Sequence, residues 1–139
     1  MLKTLALKKI YLKEVIYSAK NTPQIFFNGD TITPNLELNF NSQKIGDNLY
    51  ELIMESVVTG KNVDKEDLYS VRAVIGGLFE IIGDEEIEIE ECLNINCASI
   101  LFPYLRQEVD NIIHFSGFPP FIIQPISFYD IYENKKAKN

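Results

Sequence analysis

Hydrophobic and polar residues alternate along most of the first half of the chain. Residues 5–12 form a β-rich stretch of two interleaved rows, which Val15-Ile16-Tyr17 extends. Leu36, Leu38 and Phe40 then alternate with glutamate and asparagine. A period of two is typical of a half-buried strand, because successive side chains point to opposite faces of a sheet. The pattern therefore predicts two strands in this part of the chain.

Two further strands follow. Residues 50–58 carry apolar side chains on one face and glutamates on the other, and residues 68–82 form a long, mostly apolar stretch. Gly46-Asp47-Asn48 marks a turn before the third strand, and the polar residues 60–67 mark a turn after it. Gly76-Gly77 within the fourth strand indicates a bulge or a close backbone contact. Four sequential strands joined by short turns favour an antiparallel sheet.

The second half of the chain has a helical pattern. The acidic block 84–91 lies where a helix could begin, because carboxylates stabilise the positive end of the helix dipole. Apolar residues between 101 and 113 recur at helical spacing, and Pro103 is either a first-turn proline or the site of a kink. Gly117 and the following prolines end this helix, and residues 128–134 predict a short terminal helix. We therefore predict one domain over residues 1–139, mostly antiparallel sheet in 1–83 and mostly helical in 84–139.

Charge and composition narrow the classes of function. The 139 residues carry a net charge of −7, from 20 acidic against 13 basic residues. A chain without a basic stripe is a poor candidate for nucleic-acid binding. Lys8 and Lys9 interrupt any signal-peptide core, and the apolar runs are far shorter than the ~18 residues of a membrane span. We expect a cytoplasmic protein without membrane insertion, and two cysteines fit a reducing compartment.

No pattern in the chain predicts catalysis. His114 is the only histidine, which restricts any triad to that residue. Cys92 and Cys97, with His114, make at most three soft ligands, whereas structural zinc takes four. Thr59-Gly60-Lys61 lacks the first glycine of a phosphate loop. The adjacent acids of 84–91 suit a solvated helix entrance better than paired glycosidase carboxylates. We expect no enzyme, no metal and no cofactor, with the cysteines as small buried side chains.

Aromatic residues concentrate in two regions. Eight of the sixteen lie between residues 102 and 132, several of them around the loop Phe118-Pro119-Pro120-Phe121. Ile25, Phe26 and Phe27 lie in a second loop, between the turn residues of 21–23 and 28–30. One interpretation is that these side chains complete the core or an oligomer interface. The other is a hydrophobic groove for extended or unfolded chains.

Several segments resemble the SecB family of protein-export chaperones. The most specific is CASILFPYLR at 97–106, followed by GFPP at 117–120 and QPISF at 124–128. Further matches occur upstream in the family's order and spacing, namely IYLKE at 10–14, NTPQIF at 21–26, LYE at 49–51 and GGLF at 76–79. The resemblance extends over roughly residues 5–133.

The resemblance implies a fold and a function. The fold is α+β, a four-stranded antiparallel sheet with a long helix and a short C-terminal helix packed on one side. The assembly is a homotetramer built as a dimer of dimers. The function is that of an ATP-independent holdase, which keeps unfolded preproteins competent for Sec-dependent translocation and delivers them to the SecA ATPase. Alternatives are a SecB-like chaperone of a toxin–antitoxin system, a general holdase with little SecA coupling, and an oligomeric scaffold without chaperone activity.

Two sets of site residues follow from the resemblance and the apolar pattern. The expected groove for clients combines the strip on the second strand with the two aromatic loops. It consists of Ile25, Phe26, Phe27, Leu36, Leu38, Phe40, Phe118, Phe121 and Phe128. The expected SecA-facing patch consists of Glu14, Ser18, Ser70 and Arg72. Only Glu14 supplies a carboxylate there, and Arg72 reverses the charge common in the family, so we predict weakened or altered SecA coupling.

Overall fold

The computed structural model describes residues 1–29 and 31–138. Asp30, one of the predicted turn residues, and Asn139 lie outside the described residues. The four strands are β1 (Leu2–Ala19), β2 (Thr33–Gly46), β3 (Leu49–Lys61) and β4 (Asp67–Gly83). All neighbouring pairs are antiparallel and the order across the sheet is β1-β4-β3-β2. The predicted four-stranded antiparallel sheet is confirmed.

The order of the strands places β1 and β2 at opposite edges. β1 pairs with β4, so the segment between β1 and β2 must cross from one edge of the sheet to the other. This segment includes the 3₁₀ turn Gln24–Phe27, which gives regular structure to part of the predicted loop. Short connections alone would have suggested that sequential strands are neighbours, which holds for β2-β3 and β3-β4 but not for β1-β2.

The helical half begins within the acidic block, as predicted. Helix α1 (Glu86–Glu91) continues through a π-helical turn (Cys92–Cys97) into α2 (Ala98–Ser116). Pro103 lies inside α2 and not in its first turn. Gly117 takes a left-handed conformation with φ +88, which ends the helix where the sequence predicted.

Helix α3 (Phe128–Lys138) is longer than the predicted 128–134. The lysines near the end of the chain form its last turn, where cations favour the negative end of the helix dipole. Phe128 and Tyr132 are buried, and α3 packs against the π-helical turn.

One face of the sheet forms the core with the helices. α2 contacts β3 and β4, and α1 contacts β4. The predicted apolar face of β3 is buried there together with alternate residues of β4. This set comprises Tyr50, Leu52, Met54, Val58, Val71, Ala73, Ile75, Phe79 and Ile81. The opposite face of the sheet carries the glutamates of β3. Charged and hydrogen-bonded side chains lie on this face.

Candidate functional site

Three of the nine expected groove residues belong to the core of the chain. Ile25, Phe118 and Phe128 are only 7%, 3% and 2% exposed. The ring of Phe118 packs on Tyr69 at 4.8 Å between centroids and on Phe26 at 5.1 Å. For these residues the structure therefore fits the interpretation that aromatic side chains complete the core.

The two aromatic loops meet at this point. A cavity of about 290 Å³ lies between them, lined by Ile25, Phe26 and Ile32 on one side and by Phe118 and Pro119 on the other. Phe27 points away from this contact and is 83% exposed. The two loops thus contact each other, but the cavity between them contains no residue of the strip on β2 that they were expected to wall.

The strip on β2 is half-buried and faces the helices. Leu36, Leu38 and Phe40 lie opposite Val58, Ser56 and Met54 of the buried row of β3. The ring of Phe40 contacts that of Phe128 edge-on, at 5.5 Å between centroids.

A cavity of about 160 Å³ lies beside this contact, between Leu38 and Phe40 on the strand and Ile131 and Tyr132 on α3. Phe121 lines a different cavity of about 410 Å³, beside His114 of α2. The expected groove is thus distributed over three small clefts, and α3 and the loop after α2 cover part of it.

A further cleft was missed by the sequence analysis. It measures about 900 Å³ and lies between the end of β1 and the last turns of α2, lined by Val15, Tyr17, Phe26, Ile112 and Phe115 among others. Phe115 is 93% exposed. A signal was present, since Phe115 falls outside the helical spacing of the buried face of α2.

An apolar row on β1 continues from this cleft along the edge of the sheet. These residues share the helix-facing side of the sheet and lie opposite buried residues of β4, yet they are exposed. The row consists of Leu5, Leu7, Leu12, Val15 and Tyr17. Ile16 is exposed on the opposite face of the same strand. The helices leave this end of the sheet uncovered.

The four residues of the expected SecA-facing patch come together on the outer face of the sheet. Ser18 lies directly opposite Ser70 in the β1-β4 ladder. Arg72 donates hydrogen bonds to Glu14 of β1 and, at 3.1 Å, to Glu55 of β3. These bonds, that to Glu55 foremost, raise the pKa of Arg72 above its ordinary value.

The patch therefore contains an ion-pair cluster across three strands, which we call the Arg72 cluster (Glu14, Glu55 and Arg72). Its net charge is −1, from two carboxylates and one guanidinium. The sequence analysis did not include Glu55, although its alternation with Met54 had placed it on this face. Glu14 is engaged by Arg72 and does not stand free.

A second polar network lies further along the same face. The Tyr11 hydroxyl donates to Glu51 at 2.5 Å, and Gln43 and Lys13 reach the same carboxylate at 3.1 Å. Glu51 is only 9% exposed. The Tyr11 bond and the nearby lysine hold the pKa of Glu51 below its ordinary value, whereas burial and the Glu51 bond raise the pKa of Tyr11 to about 12.

The ring of Tyr11 lies across Gly76. A Cβ at Gly76 would come within 2.3 Å of a ring carbon, so only glycine allows this contact. The close backbone contact predicted for Gly76-Gly77 is confirmed at this position.

The candidates for catalytic and metal chemistry do not converge. Cys92 and Cys97 are buried in the π-helical turn as free thiols, and the Cys92 contact together with burial raises the pKa of Cys97. Within residues 1–29 and 31–138, no group of three or more histidine, cysteine, aspartate or glutamate side chains is arranged to hold a metal ion. In the same part of the chain, no helix has the length and apolar character needed to cross a membrane.

Comparison with known proteins identifies the family. Residues 2–139 match the family model described as preprotein translocase subunit SecB. The protein-export protein SecB of Nitrosospira multiformis is 35% identical over 133 residues, which cover 96% of this chain and 83% of the relative. The chain belongs to the SecB family.

Other SecB proteins give the same result. That of Stenotrophomonas maltophilia is 35% identical over 127 residues, covering 90% of this chain and 72% of its own length. That of Xylella fastidiosa is 36% identical over 131 residues, covering 93% and 74%. The resemblance drawn from the LFPY and GFPP segments is thereby confirmed.

The SecB-like fold is also found among solved structures. A SecB-like chaperone of Mycobacterium tuberculosis, in complex with a ChAD peptide from the HigA1 antitoxin, superposes with a TM-score of 0.74 at 16% identity, covering 88% of this chain and 91% of that one. The predicted α+β fold, with a long and a C-terminal helix on a four-stranded sheet, is confirmed.

Proposed function

We propose that this SecB protein is an ATP-independent holdase that binds unfolded precursor polypeptides and keeps them competent for export. The observation that carries the proposal is the half-buried strip Leu36, Leu38 and Phe40 on β2, with a cavity beside Leu38 and Phe40. Apolar contact is non-directional, so such a strip selects hydrophobic segments without selecting a sequence. Chaperoning of this kind needs no catalytic group and no cofactor.

The expected affinity is modest. Burying on the order of 500 Å² of apolar surface gives roughly 12 kcal/mol of gross stabilisation at ~25 cal/mol per Å². The lost freedom of the client chain offsets much of it. We expect micromolar binding at each site, which tightens when one long client occupies several sites of an oligomer.

The apolar row on β1 supports self-association. Leu7, Leu12 and Tyr17 expose a continuous apolar surface that adjoins the cleft beside Phe115. Large exposed patches of this kind are typical of interfaces. We propose that copies of the chain associate through β1 and α2 into the dimer of dimers of the family, and that the tetramer acts in the cytoplasm.

Delivery of clients to SecA would depend on the outer-face patch around Arg72. Ser18 and Ser70 supply no charge, and Arg72 engages Glu14 and Glu55. An acidic surface whose carboxylates are already paired with an arginine of the same chain attracts a basic partner less strongly. We propose that this chain retains SecA as a partner but couples to it less tightly than SecB proteins with an acidic patch.

The test of the holdase function is the variant Leu38→Ser with Phe40→Ser. We expect it to suppress aggregation of an unfolded substrate about tenfold less effectively, because the strip loses most of its apolar surface. Asn35→Ala with Asn41→Ala is the matched control, since these residues alternate with the strip on the other face. Light scattering verifies that both variants keep the parent's mass. If the double serine variant holds unfolded chains as well as the parent does, the proposal fails.

A further inference from the structure

Cys92 and Cys97 are the two cysteines of the chain, and they mark the two ends of its π-helical turn. In a regular α-helix, residues five apart lie about 9 Å from each other on different sides of the helix. A π-helical turn joins residues five apart by backbone hydrogen bonds, so the second lies one turn above the first. Their separation is then about the 6 Å of residues four apart in an α-helix. The wider turn therefore brings the two cysteines together on one side.

The two thiols interact directly in the interior of the chain. The Cys97 thiol donates a hydrogen bond to the sulfur of Cys92. Both cysteines are free, they are 1% and 0% exposed, and they belong to the same hydrophobic core as Leu93 and Leu101. The proposed holdase function uses neither thiol. Two sulfurs that share a proton away from water form a place where a cation that prefers sulfur can replace that proton.

The spacing of the two side chains suits a bridging cation better than a disulfide. Side chains one helical turn apart have Cβ atoms about 5–6 Å from each other. A disulfide needs sulfurs about 2 Å apart and Cβ atoms about 4 Å apart, which this turn does not provide unless its backbone moves. Two metal–sulfur bonds of about 2.3 Å span up to about 4.6 Å between the sulfurs. The existing turn therefore accommodates a cation between the thiols.

The number of ligands selects the kind of cation. Within residues 1–29 and 31–138, no third histidine, cysteine, aspartate or glutamate joins the two thiols. His114 is exposed in the last turn of α2. Zinc and iron–sulfur clusters also prefer thiolates but take four ligands in closed sites, whereas soft thiolates also select Cu(I). The sequence analysis expected no metal on the basis of zinc, and that argument does not extend to a cation that needs only two thiolates.

We propose that Cys92 and Cys97 form a buried two-thiolate site for Cu(I). The cation binds between the two sulfurs, and the two thiol protons leave to solvent. Copper stays in the +1 state, so the step needs neither an oxidant nor a reductant. The bound cation ties the end of α1 to the start of α2, because Cys92 follows Glu91 and Cys97 precedes Ala98. The inference is independent of the proposed holdase function.

The test loads the intact protein with Cu(I) under anaerobic conditions, in competition with the coloured chelator bathocuproine disulfonate. We expect the protein to retain one copper per chain. Loading should be slow because both thiols are buried, so the mixture is followed until its colour is constant. X-ray absorption should then show two sulfur neighbours of copper and no nitrogen or oxygen neighbour.

Single substitutions locate the site. Cys92→Ser and Cys97→Ser should each weaken copper binding at least about a hundredfold, because each removes one of the two thiolates. His114→Ala is the matched control and should keep the affinity of the parent. Light scattering and far-UV circular dichroism verify that the copper-free variants keep the mass and the helix content of the parent. If a serine variant does not fold, X-ray absorption of the parent decides alone.

Several results would overturn the inference. One is complete loss of copper from the parent to the chelator, and another is copper with nitrogen or oxygen neighbours. Equal affinity of the parent and the serine variants, or two coppers per chain, would show that the thiols do not act as a pair. A copper-free protein whose mass is lower by two hydrogen atoms would show that the cysteines form a disulfide, which also overturns the inference.

Discussion

The two edges of the sheet have opposite surface chemistry. β1 exposes large apolar side chains such as Leu7, Leu12 and Tyr17, and its register with β4 shifts between Leu7 and Lys9 and again between Leu12 and Glu14. β2 has an unbroken register over 12 residues and carries its apolar side chains half-buried beneath the helical layer. Exposing the apolar side chains of β1 to water is unfavourable, whereas exposing the polar side chains of β2 costs little.

The difference teaches how a sheet can serve two kinds of partner. An apolar edge is stabilised by a partner that stays, because its exposed surface is unfavourable whenever the partner leaves. A polar edge with free backbone groups can lose its partner and be solvated again. We therefore propose that β1 serves subunit association and that the apolar strip on β2 serves reversible binding of clients.

The largest effect is expected when the apolar row of β1 becomes charged. Leu12→Lys with Val15→Lys places two charges in this row, and a symmetric interface between two copies would contain four. We expect association to weaken by about 4 kcal/mol, roughly a thousandfold. Light scattering at micromolar concentration should then give a mass near the 15.9 kDa of the monomer.

The matched control places the same charges at the other edge. Asn39→Lys with Asn41→Lys should leave the mass of the assembly unchanged, since these side chains lie on the polar row of β2. Dissociation by the β2 pair, or an unchanged mass of the β1 pair, would contradict the assignment of the two edges.

The second effect concerns how β1 is held on the sheet. Gly76→Ala would force its Cβ into the ring of Tyr11, and we expect a loss of about 2–3 kcal/mol in the free energy of unfolding, measured with urea. Gly46→Ala on β2 is the control, because its Cβ would lie 3.5 Å from Leu49, an ordinary contact. Combining Gly76→Ala with Tyr11→Ala should cost less than the sum of the single changes. Strict additivity would show that the ring contact is unimportant.

The fold was more predictable from the sequence than the site. Alternation around Leu36 and Tyr50 and helical spacing after Leu101 report on local structure, so strands and helices were found. The β1-β4 pairing is a contact between distant segments that no local pattern encodes. Because of this pairing, β1 is an edge strand and Leu12 is exposed.

The site depends on the same long-range geometry. Glu55 joins Arg72 only because the β3-β4 register brings them together on one face. Phe118 and Phe128 look like groove residues in the sequence, but their burial depends on how the loop after α2 and helix α3 fold back. Side-chain roles that depend on register or on returning loops could not be assigned from residue order.

The third effect is a change in pH dependence at the Tyr11–Glu51 network. Tyr11→Phe removes a hydrogen bond to a buried carboxylate, and we expect a loss of about 1–2 kcal/mol near neutral pH. The folded-state pKa of Glu51 is below its ordinary value of 4.5. Its contribution to stability is therefore fully present above pH 4.5 and is lost as the pH falls through the folded-state pKa.

The difference between the parent and Tyr11→Phe should accordingly shrink towards low pH. Urea unfolding at several pH values measures it, with Tyr17→Phe as the control, since Tyr17 lies near the C-terminal end of β1 on the helix-facing side, away from Glu51. A difference that stays constant across the acid range would show that the hydrogen bond to ionised Glu51 is not its cause.

The smallest effect on stability is expected at the Arg72 cluster, which ties β1 to β3 across β4. Arg72→Ala should leave the free energy of unfolding unchanged within measurement error, because exposed ion pairs contribute little to stability. It frees Glu14 and Glu55 and changes the local charge from −1 to −2. We expect tighter, more salt-sensitive binding of SecA in calorimetric titrations at two ionic strengths. Lys9→Ala removes the same charge on the same face outside the cluster. An equal gain for both variants would mean that net charge, and not release of the two carboxylates, controls the coupling.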